Sequence, residues 1–541
     1  MTQENNREVD ENDVSAPSPD PVWPRVIKPV AMPSRPPSAV LDEIRLAVYE
    51  GYRDQLFLFN EQLMYVPPMR VTDTIDGKEN LPAPMRPVND KMLSYFTREC
   101  AVLEKTPRPL KVDVVPFREV QEILAMAPEL WHDRPIKGFT HAPFLAPGGR
   151  IVTEPGYDEE TGYYNRYRGS LVSDITADIV RDVLERMFTW YPFDSEMGVA
   201  HAIGMHLTPL VRPAIKGATP AFLIVAHDKN MGKTELASQP IVLAHGVLPA
   251  ATLLKEGADD SNTWLIDSLL SKNPAYMLFD NIASDGTIAN SHLEMLLTSN
   301  STATRLARSG APSILKISPL WLFTGNRVMM SPDMARRTVE MRFSKEGEEI
   351  VRPIWETARE RGELKALDWT VKHRDLALSV MFYCIEQWID RGCPRPERSK
   401  IGESFSAWDS IVGGIVGVIG DILNEGRPDH KKVNLREEWL SLPTRSGSSS
   451  GWQSVIENWP CVLGSDQLLT LTSGELVELM RTLDALATIF PKVPNGTQLK
   501  DFAGKHIAGL SNSSTDLWGG WYLASETVKK KKQRVYWPAK K

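Results

Sequence analysis

The chain has 541 residues with 42% hydrophobic and 24% charged content, ordinary for globular protein but too long for one core, so about three or four domains are expected. A formal net charge of −7 excludes an overall electrostatic attraction to nucleic acid, so any such contact must come from local basic patches. The four cysteines, Cys100, Cys384, Cys393 and Cys461, form no CxxC or Cys/His cluster; this excludes a zinc or disulfide framework and predicts reduced thiols in a cytosolic protein.

In chain order, residues 1–40 are acidic, rich in Pro and Ser and without apolar periodicity, and read as a disordered tail and not a secretory signal. Residues 41–168 read as a small α+β domain: "LFLFNEQLMYVP" and "GGRIVTEPGYDEETGYY" are strand pairs and "FREVQEILAMA" is a helix. From 169 to 345 two helices, "ITADIVRDVLERMF" and "EMGVAHAIGMHLTPLV", lead into apolar strands separated by helical stretches. That alternation predicts an α/β core with a parallel sheet covered on both faces.

Residues 346–443 read as a helical lid or connector. The run "IVGGIVGVIG" at 411–420 is too short to span a membrane, and its glycines predict a closely packed buried helix. "TRSGSSSG" is a flexible link, and 452–541 holds helices and a terminal hairpin, "GGWYLAS" against "QRVYWPA". Lys529, Lys530, Lys531 and Lys532 lie at that hairpin's turn, where a winged helix presents its wing to phosphates. The scattered tryptophans and the ten histidines form no stacking platform or ligand set and read as structural.

The most informative stretch is "AHDKNMGKTEL" at 226–236. Residues His227, Asp228, Lys229, Asn230, Met231, Gly232, Lys233 and Thr234 fit the phosphate-binding pattern G-x-x-x-x-G-K-[ST], except that His227 replaces its first glycine. A buried strand, "PAFLIVAH", enters the loop, and a helix leaves it, the arrangement in which backbone N–H groups cradle phosphates. Lys233 would face the β and γ phosphates of ATP and Thr234 would hold Mg²⁺. A second apolar strand, "PAYMLFDN", ends in Asp280, the acid that would complete the Mg²⁺ shell. A third, "SPLWLFTGN", ends in Asn326, placed to orient the attacking water. Arg336 and Arg337 then precede another strand, where an arginine can reach a neighbouring subunit's γ phosphate. Asn281 follows Asp280 where many motors carry a catalytic glutamate. Asn cannot take a proton, so water activation falls to Asn281 and Asn326 as positioning groups or to an acid such as Glu235 or Glu294.

Over residues 110–425, and more loosely beyond, the chain resembles the AAA+ helicase-type ATPases of bacteriophages, plasmids and integrated mobile elements. These form the helicase half of primase-helicase proteins and are related to superfamily-three and MCM-like replicative helicases. The resemblance is carried by "PFLAPGGRIVTEPGYDEETGYY", "HLTPLVRPAIKGATPAFLIVA", "LLSKNPAYMLFDNIASD", "LTSNSTATRLARSG", "LWLFTGNRVMMSPDMARRTVEMRF" and "SFSAWDSIVGGIVGVIGDIL". It implies Lys233 and Thr234 as phosphate and magnesium residues, Asp280 as Walker B, Asn326 as sensor 1, and Arg336 or Arg337 as the finger. It also puts Arg305 and Arg308 in an insertion that faces DNA or a neighbouring subunit.

The implied protein is a homohexameric ring in the bacterial host cytoplasm that couples ATP hydrolysis to movement along single-stranded or forked DNA during element replication. The primase half of many relatives has no counterpart in residues 1–40, so a separate primase or polymerase would supply priming. The rival expectation is a nucleotide-gated initiator or helicase loader that binds DNA without unwinding it.

Overall fold

The computed structural model describes residues 25–27, 37–67, 85–104, 112–113, 117–226, 230–251, 269, 274–282, 287–288, 291–298, 301–305, 312–316, 319–326, 328–344, 364–396, 403–429, 432–440, 455–456, 458–460, 469–482, 507, 521–528 and 533–540. The chain divides into two compact units, one of residues 1–70 and 83–137 and one of residues 71–82 and 138–541.

In the first unit the predicted strand pair forms, Leu56–Phe59 antiparallel to Gln62–Tyr65, and Phe117–Ala125 is the predicted helix. Helices Pro37–Gly51 and Asp90–Cys100 bury Ile44, Val48, Leu93 and Phe96 against Trp131, giving this unit its own core. The second predicted pair, Gly156–Asp158 with Tyr163–Asn165, also forms, and it belongs to the second unit.

The second unit is built on a parallel sheet. Helix α1 (Ala177–Phe188) starts where Thr176 accepts a hydrogen bond from the Ile179 N–H, and it buries Val180, Val183, Leu184, Met187 and Phe188. That i, i+3, i+4, i+7 spacing is one helical face. Helix α2 (Glu196–Val211) is buried nearly all round. Strand β1 (Ala221–Ala226) follows, then α3 (Lys233–His245), β2 (Tyr276–Ile282), α4 (Ser291–Thr298), β3 (Leu320–Asn326), the single turn α5 (Pro332–Ala335) and β4 (Thr338–Phe343).

The sheet order is β2-β3-β1-β4, with every pair parallel. Strand alternation explains why it is covered on both faces. Phe222, Ile224 and Ala226 of β1 point into the large core with α1, α2 and α3, whereas Ala221, Leu223 and Val225 point into a second core with Leu293, Leu296 and Leu297 of α4. Neighbouring strands repeat the pattern, and Phe279 and Phe323 stack at 5.1 Å on the α4 side. The fold is therefore mixed α/β around a parallel sheet, as expected from the strand–helix alternation.

Helices α6 (Ala366–Lys372), α7 (Arg374–Asp390), α8 (Gly414–Asn424) and α9 (Leu435–Leu440) join the larger core. Gly413 and Gly204 leave room for Trp439, and Gly414 leaves room for the Pro394 carbonyl and Trp388. Trp408 and Trp439 are fully buried there, donating to Thr208 Oγ1 at 2.9 Å and Asp409 Oδ1 at 2.7 Å. The apolar run at 411–420 is part of a helical stretch, Ser406–Asn424, long and apolar enough to cross a membrane by length and composition; 72% of that window is buried inside the protein. It is longer than the sequence run because a π-helical turn, Asp409–Gly413, continues the backbone through it.

At the C-terminal end, Trp521–Val528 and Gln533–Lys540 pair antiparallel, with Leu471–Thr472 on the other edge and helix Ser473–Thr482 following that short strand. The turn carrying Lys529 to Lys532 lies outside the described residues.

Candidate nucleotide site

The carboxyl ends of β1, β3 and β2 lie side by side, and ligands of parallel α/β sheets bind at such ends. Residues His227, Asp228 and Lys229 fall outside the described residues. The loop re-emerges at Asn230 with φ +60°, and Gly232 has φ +82° immediately before α3. Asn tolerates left-handed backbone, and Gly232 must adopt it at a point of close approach. A Cβ on Gly232 would stand 3.3 Å from the Tyr191 ring.

Tyr191 is fully buried beside Gly232 and stacks on Phe343 at 6.0 Å with a 14° interplanar angle. The turn that carries it is fixed to the end of β4, since Asp194 N–H donates to Arg342 O and Ser344 N–H donates to Pro192 O, both at 3.0 Å. Burial, then the Glu235 and Asp368 carboxylates, push the Tyr191 phenol well above its ordinary pKa, so it is a neutral floor.

Helix α3 opens with Lys233, Thr234 and Glu235. Burial draws Lys233 below its ordinary pKa, partly offset by the Asp280 charge. Thr234 Oγ1 donates to Asp280 Oδ1 at 2.7 Å, so the loop and the second strand meet through these two side chains. Glu235 lies 3.9 Å from Lys365 at the start of α6; both are well exposed, so the ion pair contributes little.

Asp280 sits at a bulge: β2 leaves register with β3 between Phe279 and Ile282, and Asn281 takes φ +54°. Thr324 of β3 fills the irregularity. Its hydroxyl donates to Asp280 Oδ1 at 2.5 Å and accepts from the Asn281 N–H at 3.0 Å. Asn326 pairs with Ala226 at the mouth of the loop, and its buried Oδ1 has no hydrogen-bond partner among the described residues. Ser331 Oγ donates to Glu294 Oε1 at 2.5 Å, which occupies that acid.

Arg336 and Arg337 stand at the other end of the sheet. Thr338 pairs with Ala221, and the Arg337 carbonyl accepts from Ala221 N–H at 2.9 Å. Five residue steps of strand, about 17 Å, therefore separate them from the loop. Asp333 bonds Arg336 and lies 3.5 Å from Arg337, and the Arg336 guanidinium draws the Asp333 carboxyl below its usual range. Arg305 ends a strand, Ser301–Arg305, paired antiparallel with Pro312–Lys316, and Arg308 lies outside the described residues.

The donor set suits a magnesium nucleotide. A carboxylate and a hydroxyl are hard oxygen ligands for Mg²⁺, the N-terminus of a 13-residue helix favours phosphate, and the orphaned Asn326 oxygen asks for a donor such as water.

Sequence reasoning missed Thr324, Tyr191 and Arg374. Thr324 carries a signal, being the one hydroxyl side chain within the apolar strand "LWLFTGN". Arg374 carries none: it bonds the Val242 and Leu243 carbonyls at 2.9 and 3.0 Å and the His141 carbonyl at 2.5 Å, closing the C-terminal end of α3 from far along the chain.

The fold and the strand tips thus define an α/β protein with a strand–loop–helix site beside an acid-tipped strand one place further along the sheet. No protein-family model matches the chain, and no curated protein matches it. Among solved structures, the JC virus helicase is similar at 12% identity over 40% of this chain and 55% of that one, with a TM-score of 0.23. SCCmec type IV Cch, described as an active helicase, matches at 11% identity over 71% of this chain and 82% of that one, at 0.24. The apo C-terminal region of NrS-1 matches at 11% identity over 80% and 92%, at 0.27. The chain spans little more than half of the JC virus helicase it matches.

Proposed function

We propose that the chain is an ATP-dependent, ring-forming DNA helicase of a phage or mobile element, hydrolysing ATP between subunits. The observation that carries this is the 2.7 Å contact of Thr234 with Asp280 across two strands, with Asn326 on the strand between them. Mg²⁺ held by Thr234 and Asp280 would neutralise charge on the transferred phosphoryl group. Lys233 and the backbone N–H groups of the α3 N-terminus bind and orient the phosphates. Asn326 directs its Oδ1 to the attacking water, and Tyr191, stacked on Phe343, floors Gly232.

Use of Arg336 or Arg337 in trans is supported by their position: the length of the sheet keeps them from their own loop but leaves them able to meet a neighbour's. Arg305 on its hairpin, Arg308 beyond it and the Lys529 to Lys532 turn are the DNA contacts of this reading. The helices over 364–440 serve as the lid, and the C-terminal hairpin as the wing.

A second reading, a nucleotide-gated initiator or loader, is favoured by Asn281 in place of an acid and by the engagement of Glu294 with Ser331. Strand separation distinguishes the two. The purified protein should unwind a forked duplex only with ATP and Mg²⁺, and Lys233→Ala should abolish it. DNA binding and slow hydrolysis without strand separation would select the loader.

A further inference from the structure

We infer that Thr324 is a positioning residue for the metal-binding acid: its hydroxyl clamps Asp280 and closes the bulge at Asn281, so the metal ligand is held before nucleotide arrives. This rests on the nucleotide-site reading above and adds a residue to it.

The bulge creates the need. Where β2 leaves register between Phe279 and Ile282, Asn281 turns to φ +54° and its N–H loses its regular ladder acceptor. A partly buried N–H without an acceptor is costly. Thr324 reaches across from β3 and accepts it at 3.0 Å, while its single hydroxyl proton goes to Asp280 Oδ1 at 2.5 Å. One oxygen thus fixes both the backbone after the acid and the carboxylate itself.

Thr234 also donates to Asp280 Oδ1, but Thr234 is itself a candidate ligand. Thr324, 1% exposed within the sheet, is the donor that holds Asp280 whatever Thr234 does. Outer groups that orient a metal ligand commonly change metal affinity by about 10- to 100-fold. Valine keeps the β-branched shape of threonine, so exchanging Thr324 for valine removes the hydroxyl alone and isolates the role.

The test uses the full chain as wild type, Thr324→Val and Thr324→Ser. Mn²⁺ binding in the presence of ADP is read by electron paramagnetic resonance, and exchange of the Asn281 amide is read without nucleotide. Valine should raise the Mn²⁺ half-saturation about tenfold or more and speed exchange at Asn281, while metal-free ADP binding stays within about twofold; serine should restore both. If valine folds poorly, Thr324→Ser and Thr324→Ala differ only by the oxygen and read the same ratio. A valine variant with wild-type metal affinity and wild-type Asn281 exchange overturns the inference. Wild-type protein that binds no Mn²⁺ with ADP instead overturns the nucleotide site on which it stands.

Discussion

At Gly232 the backbone conformation and the space above Tyr191 make the same demand. The φ of +82° costs an L-residue about 1–2 kcal/mol, and a Cβ there would press on a ring that Phe343 holds from below. Gly232→Ala is expected to weaken nucleotide binding about tenfold or more by fluorescent-nucleotide titration, consistent with a strain of that size. Unchanged affinity would mean that the loop is not held against Tyr191 when nucleotide binds. Lys233, Thr234 and Asp280, proposed to bear the chemistry, stand out in the sequence because phosphate and metal would constrain their types and strand contexts. Thr324 and Tyr191 were not, because their roles depend on which strand lies next to which turn.

At the scale of elements, the strands were readable from apolar runs ending in polar tips, whereas the helix ends at Thr176 and Gly246 lie within the runs read as helical. The order β2-β3-β1-β4 was not, since no local pattern says that the strand tipped by Asn326 lies between the other two. Helices α2 and α3 carry His201, His206 and His245, all buried, with burial pulling each down to about 4. Unfolded histidine takes up a proton near pH 6.5. The unfolded chain therefore binds more protons than the folded one between about pH 6.5 and 4, and stability falls as pH falls through that window. Each such histidine contributes up to about 1.4 kcal/mol per pH unit. Denaturant midpoints should drop steadily from pH 7 to 5. A flat profile would contradict the burial of these rings as neutral groups.

For the whole molecule, the decisive geometry is the length of the sheet between the loop and Arg336-Arg337. On the proposed reading, a finger this far from its own loop acts on a neighbour's, in an assembly with a repeated head-to-tail interface. Lys233→Ala keeps its arginines, and the double variant Arg336→Ala, Arg337→Ala keeps its loop. Each alone should hydrolyse ATP at less than about a hundredth of the wild-type rate, since a finger is worth about 10³ or more. Mixed and allowed to reassemble, they should recover a measurable fraction of activity. No recovery in verified mixed assemblies would contradict a role in trans. The number of subunits in the proposed ring was not legible in either sequence or fold, because ring closure depends on the angle between subunits.

The most direct test of the central claim is the rate of ATP hydrolysis by the purified protein with and without single-stranded DNA, for wild type beside Lys233→Ala. Turnover that DNA stimulates severalfold and that vanishes in the variant is the predicted result. Hydrolysis that ignores DNA, or that survives loss of Lys233, would contradict a nucleic-acid motor driven from this site.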